Sequence, residues 1–392
     1  MNQADTAWML VATALVFFMT MPGLALFYGG MVRARNVISI FMQCYAIACL
    51  MAILWYAFGY SIAYGETNGI WGGTDKMFLN GVGMNSLKGT IPEILFFAFQ
   101  MTFAIITPVI VIGAFAERVK FEFVMMFSGL WMLLVYAPVA HWVWGGGFLG
   151  DDGIFGAVGV RDFAGGLVVH ETAGIAALLI AIVIGPRIHR DHAPHNPGMV
   201  MIGAAMLWVG RLGFNGGSTF AADATAAMAL SVTILAAAAS SITWIFWETW
   251  KFGKFTPVGL VTGTLAGLAA ITPASGYVGP TYALVIGVVA GILCQEAVYF
   301  LRDRLNVDDS LDVFAVHGVA GIFGSLMMAA LGAASWPAQA GGILIIAAYT
   351  TVMSLILIFF CKGVVGIRVD TNIEIEGLDP RVHNTKGYDL DS

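Results

Sequence analysis

The chain is poor in charge. Only 11% of its 392 residues are Asp, Glu, Lys or Arg, against roughly 25% in soluble domains, which excludes an ordinary soluble domain. Cysteine is also sparse: Cys44, Cys49, Cys294 and Cys361 lie in or beside apolar runs, without metal-ligand spacing. They read as reduced fillers of buried space, so neither a disulfide framework nor a metal centre is expected. A basic segment is missing ahead of the first apolar run, which follows Met1-Asn2-Gln3-Ala4-Asp5-Thr6, so no cleavable signal peptide is expected. No nucleophile–base pair, metal triad or phosphate-cradling glycine loop stands out. A membrane enzyme is therefore the least favoured class, and no catalytic residue and no cofactor is expected.

What the chain does have is apolar length. Hydrophobic residues make up 59%, and mean hydropathy is +0.84. A membrane-crossing helix needs about 20 mostly apolar residues. Eleven such spans are expected, near 7–29, 37–64, 92–115, 122–145, 163–185, 199–214, 224–249, 257–271, 280–301, 311–332 and 339–361, with spans six and eight the shortest. The fold class expected is an all-α polytopic membrane protein.

Basic residues sort themselves around this count. With the N-terminus outside, the inside connections and C-tail hold Arg33, Arg35, Arg118, Lys120, Arg187, Arg190, Lys251, Lys254, Arg302, Arg304, Lys362, Arg368, Arg381 and Lys386. The outside connections hold only Lys76, Lys88 and Arg161, and Arg211 falls within span six. Positive charge collects on the cytoplasmic side of inner membranes, so the split favours N-out, C-in and a multi-pass protein of the cytoplasmic membrane.

Two segments share the pattern V-H-x-x-A-G: Val169-His170-Glu171-Thr172-Ala173-Gly174 in span five and Val316-His317-Gly318-Val319-Ala320-Gly321 in span ten. An aspartate precedes each histidine, Asp162 by eight residues and Asp312 by five. A unit of five helices repeated once is inverted in the membrane, an architecture that places functional sites at the repeat interface. The repeats would cover about 7–185 and 199–332, with an extra helix at about 339–361 and a cytoplasmic tail over 362–392.

Ionisable side chains inside a membrane are costly and usually face a bundle interior or cavity. Four lie within the spans: His170, Glu171, Arg211 and His317. Repeat symmetry would bring the two histidines together, where one ring nitrogen donates and the other accepts. Such a pair can pass a proton or a small polar molecule; alternatively, it only fixes the packing of two helices. Phe99 and Phe103 share a helix face, Phe214 ends span six and Trp144 ends span four. Aromatic faces attract cations, although on position alone interfacial belt and packing roles account for them better. Asp162, just ahead of span five, reads first as a helix cap.

These residues sit in segments that resemble a known family. Pro22-Gly23…Phe27-Tyr28-Gly29-Gly30, Ala98-Phe99-Gln100…Phe103, Gly113-Ala114-Phe115-Ala116-Glu117-Arg118, Ala140-His141-Trp142-Val143-Trp144-Gly145-Gly146-Gly147, Asp162-Phe163-Ala164-Gly165-Gly166, Gly213-Phe214-Asn215-Gly216-Gly217-Ser218, Ile271-Thr272-Pro273-Ala274 and Asp312-Val313-Phe314-Ala315-Val316-His317-Gly318 run in the order of the Amt/MEP ammonium transporters, relatives of the Rh proteins. Glu376-Gly377-Leu378-Asp379 resembles that family's C-terminus.

The resemblance implies a homotrimer in membrane lipid, one pore per subunit, carrying ammonium or ammonia, with methylammonium as a second candidate substrate. It implies external recruitment by Phe103, Trp144 and Ser218, a gate of Phe103 and Phe214 with Phe99 beside it, and a twin-histidine pore of His170 and His317. Asp162 and Asp312 would be structural or electrostatic acids. The tail would be a regulatory element able to meet a cytoplasmic PII-type signalling protein; no nucleic-acid partner is implied.

The sequence departs from the family at two places: Arg211-Leu212 stands where Trp-Phe is usual, and Glu171 where a small or apolar residue is usual. A buried ion pair between Arg211 and Glu171 is the expectation, since an unpaired buried charge is costly. An Arg211 that instead reached the pore would oppose NH4+, and this raises the alternative of an ammonium-binding sensor with weak or no conduction.

Overall fold

The computed structural model describes residues 1–66, 68–190 and 192–388. Eleven apolar helices are present among them, in the expected order. They are α1 (Gln3–Met31), α2 (Ala34–Tyr64), α3 (Glu93–Ala114), α4 (Phe121–Trp144), α5 (Gly166–Ile184), α6 (Pro197–Gly217), α7 (Ala224–Phe252), α8 (Pro257–Ile271), α9 (Pro280–Arg304), α10 (Phe314–Ala330) and α11 (Trp336–Val365). Nine are long and apolar enough to cross a membrane, and α8 and α10 are shorter. A two-stranded hairpin, β1 (Leu87–Lys88) with β2 (Ile91–Pro92), lies between α2 and α3.

Two lengths differ from expectation. Span six, expected to be short, is a full 21-residue helix. Asn196 caps its start by accepting from the Met199 amide at 2.9 Å, and Pro197 follows the cap. Its mean hydropathy of 1.3 is the lowest of the nine, because Arg211 and its glycines dilute the apolar signal. Span ten is shorter than its expected 311–332, because the chain before Phe314 is irregular and the helix opens on a π-helical turn, Phe314–Val319. Helix α8 has 15 residues and is buried along almost its whole length. Neighbouring helices therefore surround most of its length, which is where short or irregular segments are tolerated at membrane depth.

Helices α5 and α10 cross at the centre. Each carries its histidine in a π-helical turn, Gly166–Glu171 and Phe314–Val319. A Cβ on Gly174 would stand 2.4 Å from Cα of Gly318, and one on Gly321 would stand 2.3 Å from the Gly166 carbonyl oxygen and 2.9 Å from Cβ of His170. Only glycine lets the two backbones approach so closely. The two histidines are 147 positions apart; the same offset relates Gly174 to Gly321.

One end of the bundle is a basic face. Arg187 bonds Glu117 at 2.9 Å and Asp308 at 2.9 Å, and Glu117 also accepts from Arg33, Asn36 and His192. The tail is docked on this face. Lys120 N–H donates to Ile367 and Val369 N–H to Arg118. Short helices α12 (Thr371–Glu376) and α13 (Leu378–Val382) follow. Glu374 accepts from the Ile188 amide and from Arg368. Asp379 accepts from the Ile38 and Ser39 amides at 2.9 and 2.7 Å, which supplies two of the unpaired donors at the start of α2. The last part of the expected tail, 389–392, lies outside the described residues.

Candidate functional site

The mouth opposite the basic face opens into a cavity of about 1050 Å³, lined by Gln100, Phe103, Trp144, Asp162 and Ser218 among others. Asp162 sets its geometry. Its carboxylate accepts the amides of Gly165, Gly166, Leu167 and Val168 at 2.6 to 3.0 Å, satisfying the free donors at the start of α5. Its backbone carbonyl takes the Trp144 indole N–H at 2.7 Å. The expected cap is therefore present, and the same residue fixes the tryptophan. The Ser218 hydroxyl donates to the Phe214 carbonyl at 2.8 Å, which commits its proton and leaves its lone pairs as acceptors. Oε1 of Gln100 is buried without a partner among the described residues. Two aromatic rings plus acceptor oxygens suit a small cation that donates hydrogen bonds. Gln100 escaped the sequence reading; a polar residue inside an apolar span, one helical turn before the Phe103 face, was its available signal.

At the cavity floor the rings of Phe103 and Phe214 stack, with centroids 4.0 Å apart and planes 20° from parallel. Both are buried. Phe99 lies beside the stack, 5.0 Å from Phe103, and packs against Gly217. Trp144 meets the Phe103 ring edge-on at 6.1 Å.

Behind the stack, Nδ1 of His170 faces Nδ1 of His317 at 3.0 Å, with ring planes 13° apart. His317 also lines a small cavity of about 10 Å³ with Leu24, Phe27, Tyr28 and Asp312, toward the basic face. The residues thus follow one line: Trp144 and Ser218, Phe103, Phe214, His170, His317, Asp312.

Arg211 lies on this line, and this corrects the expected ion pair. Its Nη1 is 3.1 Å from Nε2 of His170, and its guanidinium lies 4.3 Å over the Phe214 ring. Both carboxylate oxygens of Glu171 are buried without a hydrogen-bond partner among the described residues, and no ion pair joins Glu171 to Arg211. The cause is helical geometry: consecutive residues of a helical turn, here the π-helical turn Gly166–Glu171, point in different directions around the axis, so the turn that aims His170 at Arg211 carries Glu171 away.

The second aspartate also needs correction as a counterpart of the first. Asp309, not Asp312, is 147 positions after Asp162, and it accepts the Phe314 amide at 2.7 Å at the start of α10. Asp312 lines the small cavity instead. The constant offset would have found Asp309; counting back from each histidine to the nearest conspicuous aspartate did not.

Comparisons with known proteins show the family. A model of the Ammonium Transporter Family matches residues 7–388. The chain belongs to this family. It is 42% identical to a putative ammonium transporter of Methanothermobacter thermautotrophicus over 100% of this chain and 99% of that protein. It is 40% identical to the ammonium transporter of Bacillus subtilis, with 99% of each chain covered. Among solved structures, one titled "Sensor Amt Protein" superposes with a TM-score of 0.89 at 28% identity, covering 97% of this chain and 98% of that one. Mep2 of Candida albicans gives 0.85 at 32% identity, covering 95% and 87%. Family and fold make the chain a multi-pass membrane protein of the ammonium transporters.

Proposed function

We propose that each subunit moves ammonia through the line just described. The observation that carries this is the unbroken succession of an acceptor-lined aromatic cavity, a two-phenyl stack and a histidine pair within one bundle. NH4+ enters the cavity, where the Trp144 and Phe103 faces and the Ser218 and Gln100 oxygens replace part of its water shell. Past Phe214 the line is enclosed and carries the Arg211 guanidinium beside His170, and a dehydrated cation there is costly. The proton is left on the cavity side, and NH3 crosses beside the histidines. By its charge distribution the basic face is cytoplasmic, which makes the cavity the external mouth of a protein in the cytoplasmic membrane. The 147-residue offset between paired contacts of α5 and α10 supports an inverted five-helix repeat with α11 as the extra helix. The ordered tail on the cytoplasmic face suits a regulatory element that a PII-type protein would read, and the family suggests a homotrimer.

The test is an ammonium jump on proteoliposomes. Entry of NH3 takes up protons inside, so luminal pH should rise faster than in protein-free vesicles, and a Phe214→Ala change should alter the rate. Equal rates with and without protein would reject transport.

One observation favours a second reading, a receptor: Arg211 places a fixed cation directly behind the gate. A structural neighbour's title also names a sensor. Saturable quenching or enhancement of Trp144 fluorescence by ammonium, in protein that moves none, would support it.

A further inference from the structure

We propose that Arg211 forms a site for neutral NH3 behind the phenyl stack and, by locking the tautomers of both pore histidines, removes the proton path between them. The inference rests on the transport reading above and specifies which species that pore can carry.

The hydrogen-bond directions follow from what each group can do. A guanidinium has five N–H donors and no acceptor. With Nη1 of Arg211 3.1 Å from Nε2 of His170, Nε2 must be the acceptor. His170 is therefore neutral with its proton on Nδ1, since a doubly protonated ring would offer no lone pair. That Nδ1–H donates across 3.0 Å to Nδ1 of His317, which leaves the His317 proton on Nε2. Without Arg211 either ring could donate. With it, the chain has one direction, from the guanidinium inward.

A proton passing inward would have to arrive on Nε2 of His170, shift from Nδ1 of His170 to Nδ1 of His317, and leave from Nε2 of His317. Arg211 already occupies the arrival lone pair and adds a like charge next to it. The relay has no entry point. The same charge opposes NH4+ itself.

The guanidinium also supplies the ligand site. Nε of Arg211 is buried with no acceptor among the described residues, and the guanidinium is held over the Phe214 ring at 4.3 Å. A buried N–H without an acceptor is costly. NH3 carries one lone pair and no charge, so it can accept from Nε–H. NH4+ has no lone pair to offer. The site therefore sorts the two forms by chemistry as well as by charge.

The test uses full-length protein in proteoliposomes, as wild type, Arg211→Leu and Arg211→Lys, with ammonium jumps read both as current on a solid-supported membrane and as luminal pH. Wild type should alkalinise the lumen with little current. Arg211→Leu should raise the current roughly tenfold or more as the repulsion is lifted, and Arg211→Lys should keep it low. ¹⁵N spectra of labelled histidine, assigned with His170→Ala and His317→Ala, should show His170 protonated on Nδ1 in wild type and a mixture in Arg211→Leu. A wild-type current equal to that of Arg211→Leu, or the same tautomer mixture in both, overturns the proposal. If neither protein alkalinises the lumen yet the tautomers differ as stated, the lock stands and the transport reading fails instead.

Discussion

Gly174 and Gly318 bring helices α5 and α10 within backbone contact at the centre of the bundle. A Cβ on Gly174 would stand 2.4 Å from Cα of Gly318, so any side chain there must push the helices apart. The histidines hydrogen-bond across this same crossing. Gly174→Val should therefore cost on the order of 1–3 kcal/mol of stability and slow ammonia flux even where the protein still folds. Gly363, with open space around its Cβ position, is the control: Gly363→Ala should leave both unchanged. Thermal melts in detergent and proteoliposome flux check this, and a Gly174→Val protein of unaltered flux would show that the close crossing does not set the histidine geometry.

Glu171 stands alone. With both oxygens buried and unbonded among the described residues, it costs stability rather than adding any. Replacing it by Leu should stabilise the protein by on the order of 1–3 kcal/mol, the penalty for a buried polar group without a partner. In a double-mutant cycle with Arg211→Leu the coupling should stay below about 0.5 kcal/mol. A larger coupling would restore the ion pair that the structure does not contain.

The fold was legible because the membrane imposes one rule on the backbone. Apolar runs of helical length have a single use in lipid, and the basic residues between them sort by side, so all eleven helices could be counted. The site was legible where chemistry stood against background: His170, His317 and Arg211 are ionisable groups in apolar helices. The phenyl stack was not legible from position, because Phe103 and Phe214 sit among many packing phenylalanines, and only the family resemblance singled them out. The partner of Arg211 was misread because helical rise gives depth along the axis but not azimuth. Depth placed Glu171 within reach, and rotation decided for His170. Asp309 was missed for another reason: its role is backbone capping, which shows only when the repeat offset is applied residue by residue.

Asp162 joins two functions in one residue, so its loss should show in two measurements. Asp162→Ala frees four amides at the start of α5, and the cost should be at least the ~1–2 kcal/mol of a lost N-cap. The loosened segment also carries the carbonyl that holds the Trp144 indole, so ammonium should bind the cavity more weakly. Asp309→Ala removes the Phe314 amide contact at the start of α10, and Asp309 holds no part of the Trp144 indole contact. It should lower stability less and leave cavity binding unchanged. Melting curves and Trp144 fluorescence titrations in the two variants separate the cases; equal binding losses would mean that Asp162 acts only through overall stability.

His192 gives tail docking a pH dependence of definite sign. Its Nε2 bonds Oε2 of Glu117 at 2.9 Å, and this bond holds its pKa above the ordinary 6.5. Burial alone would raise the Glu117 carboxyl, but His192, Arg187 and the Arg33 amide hold it well below the usual range, so Glu117 stays ionised throughout. The groups facing His192 are Glu117 and the Ala193 carbonyl, with Arg187 sharing the same carboxylate oxygen. A histidine whose folded pKa is raised contributes its full stability below 6.5 and loses it as pH climbs through the raised value. The other oxygen of Glu117 holds Arg33, whose guanidinium donates to the Glu374 carbonyl of the tail at 2.6 Å. Amide exchange over 371–388, corrected for intrinsic rate, should therefore be slower near about pH 6 than near about pH 8.5. His192→Gln should flatten the difference, because glutamine can still donate to Glu117 but does not titrate. An unchanged pH dependence in that variant would place the sensing group elsewhere on the basic face.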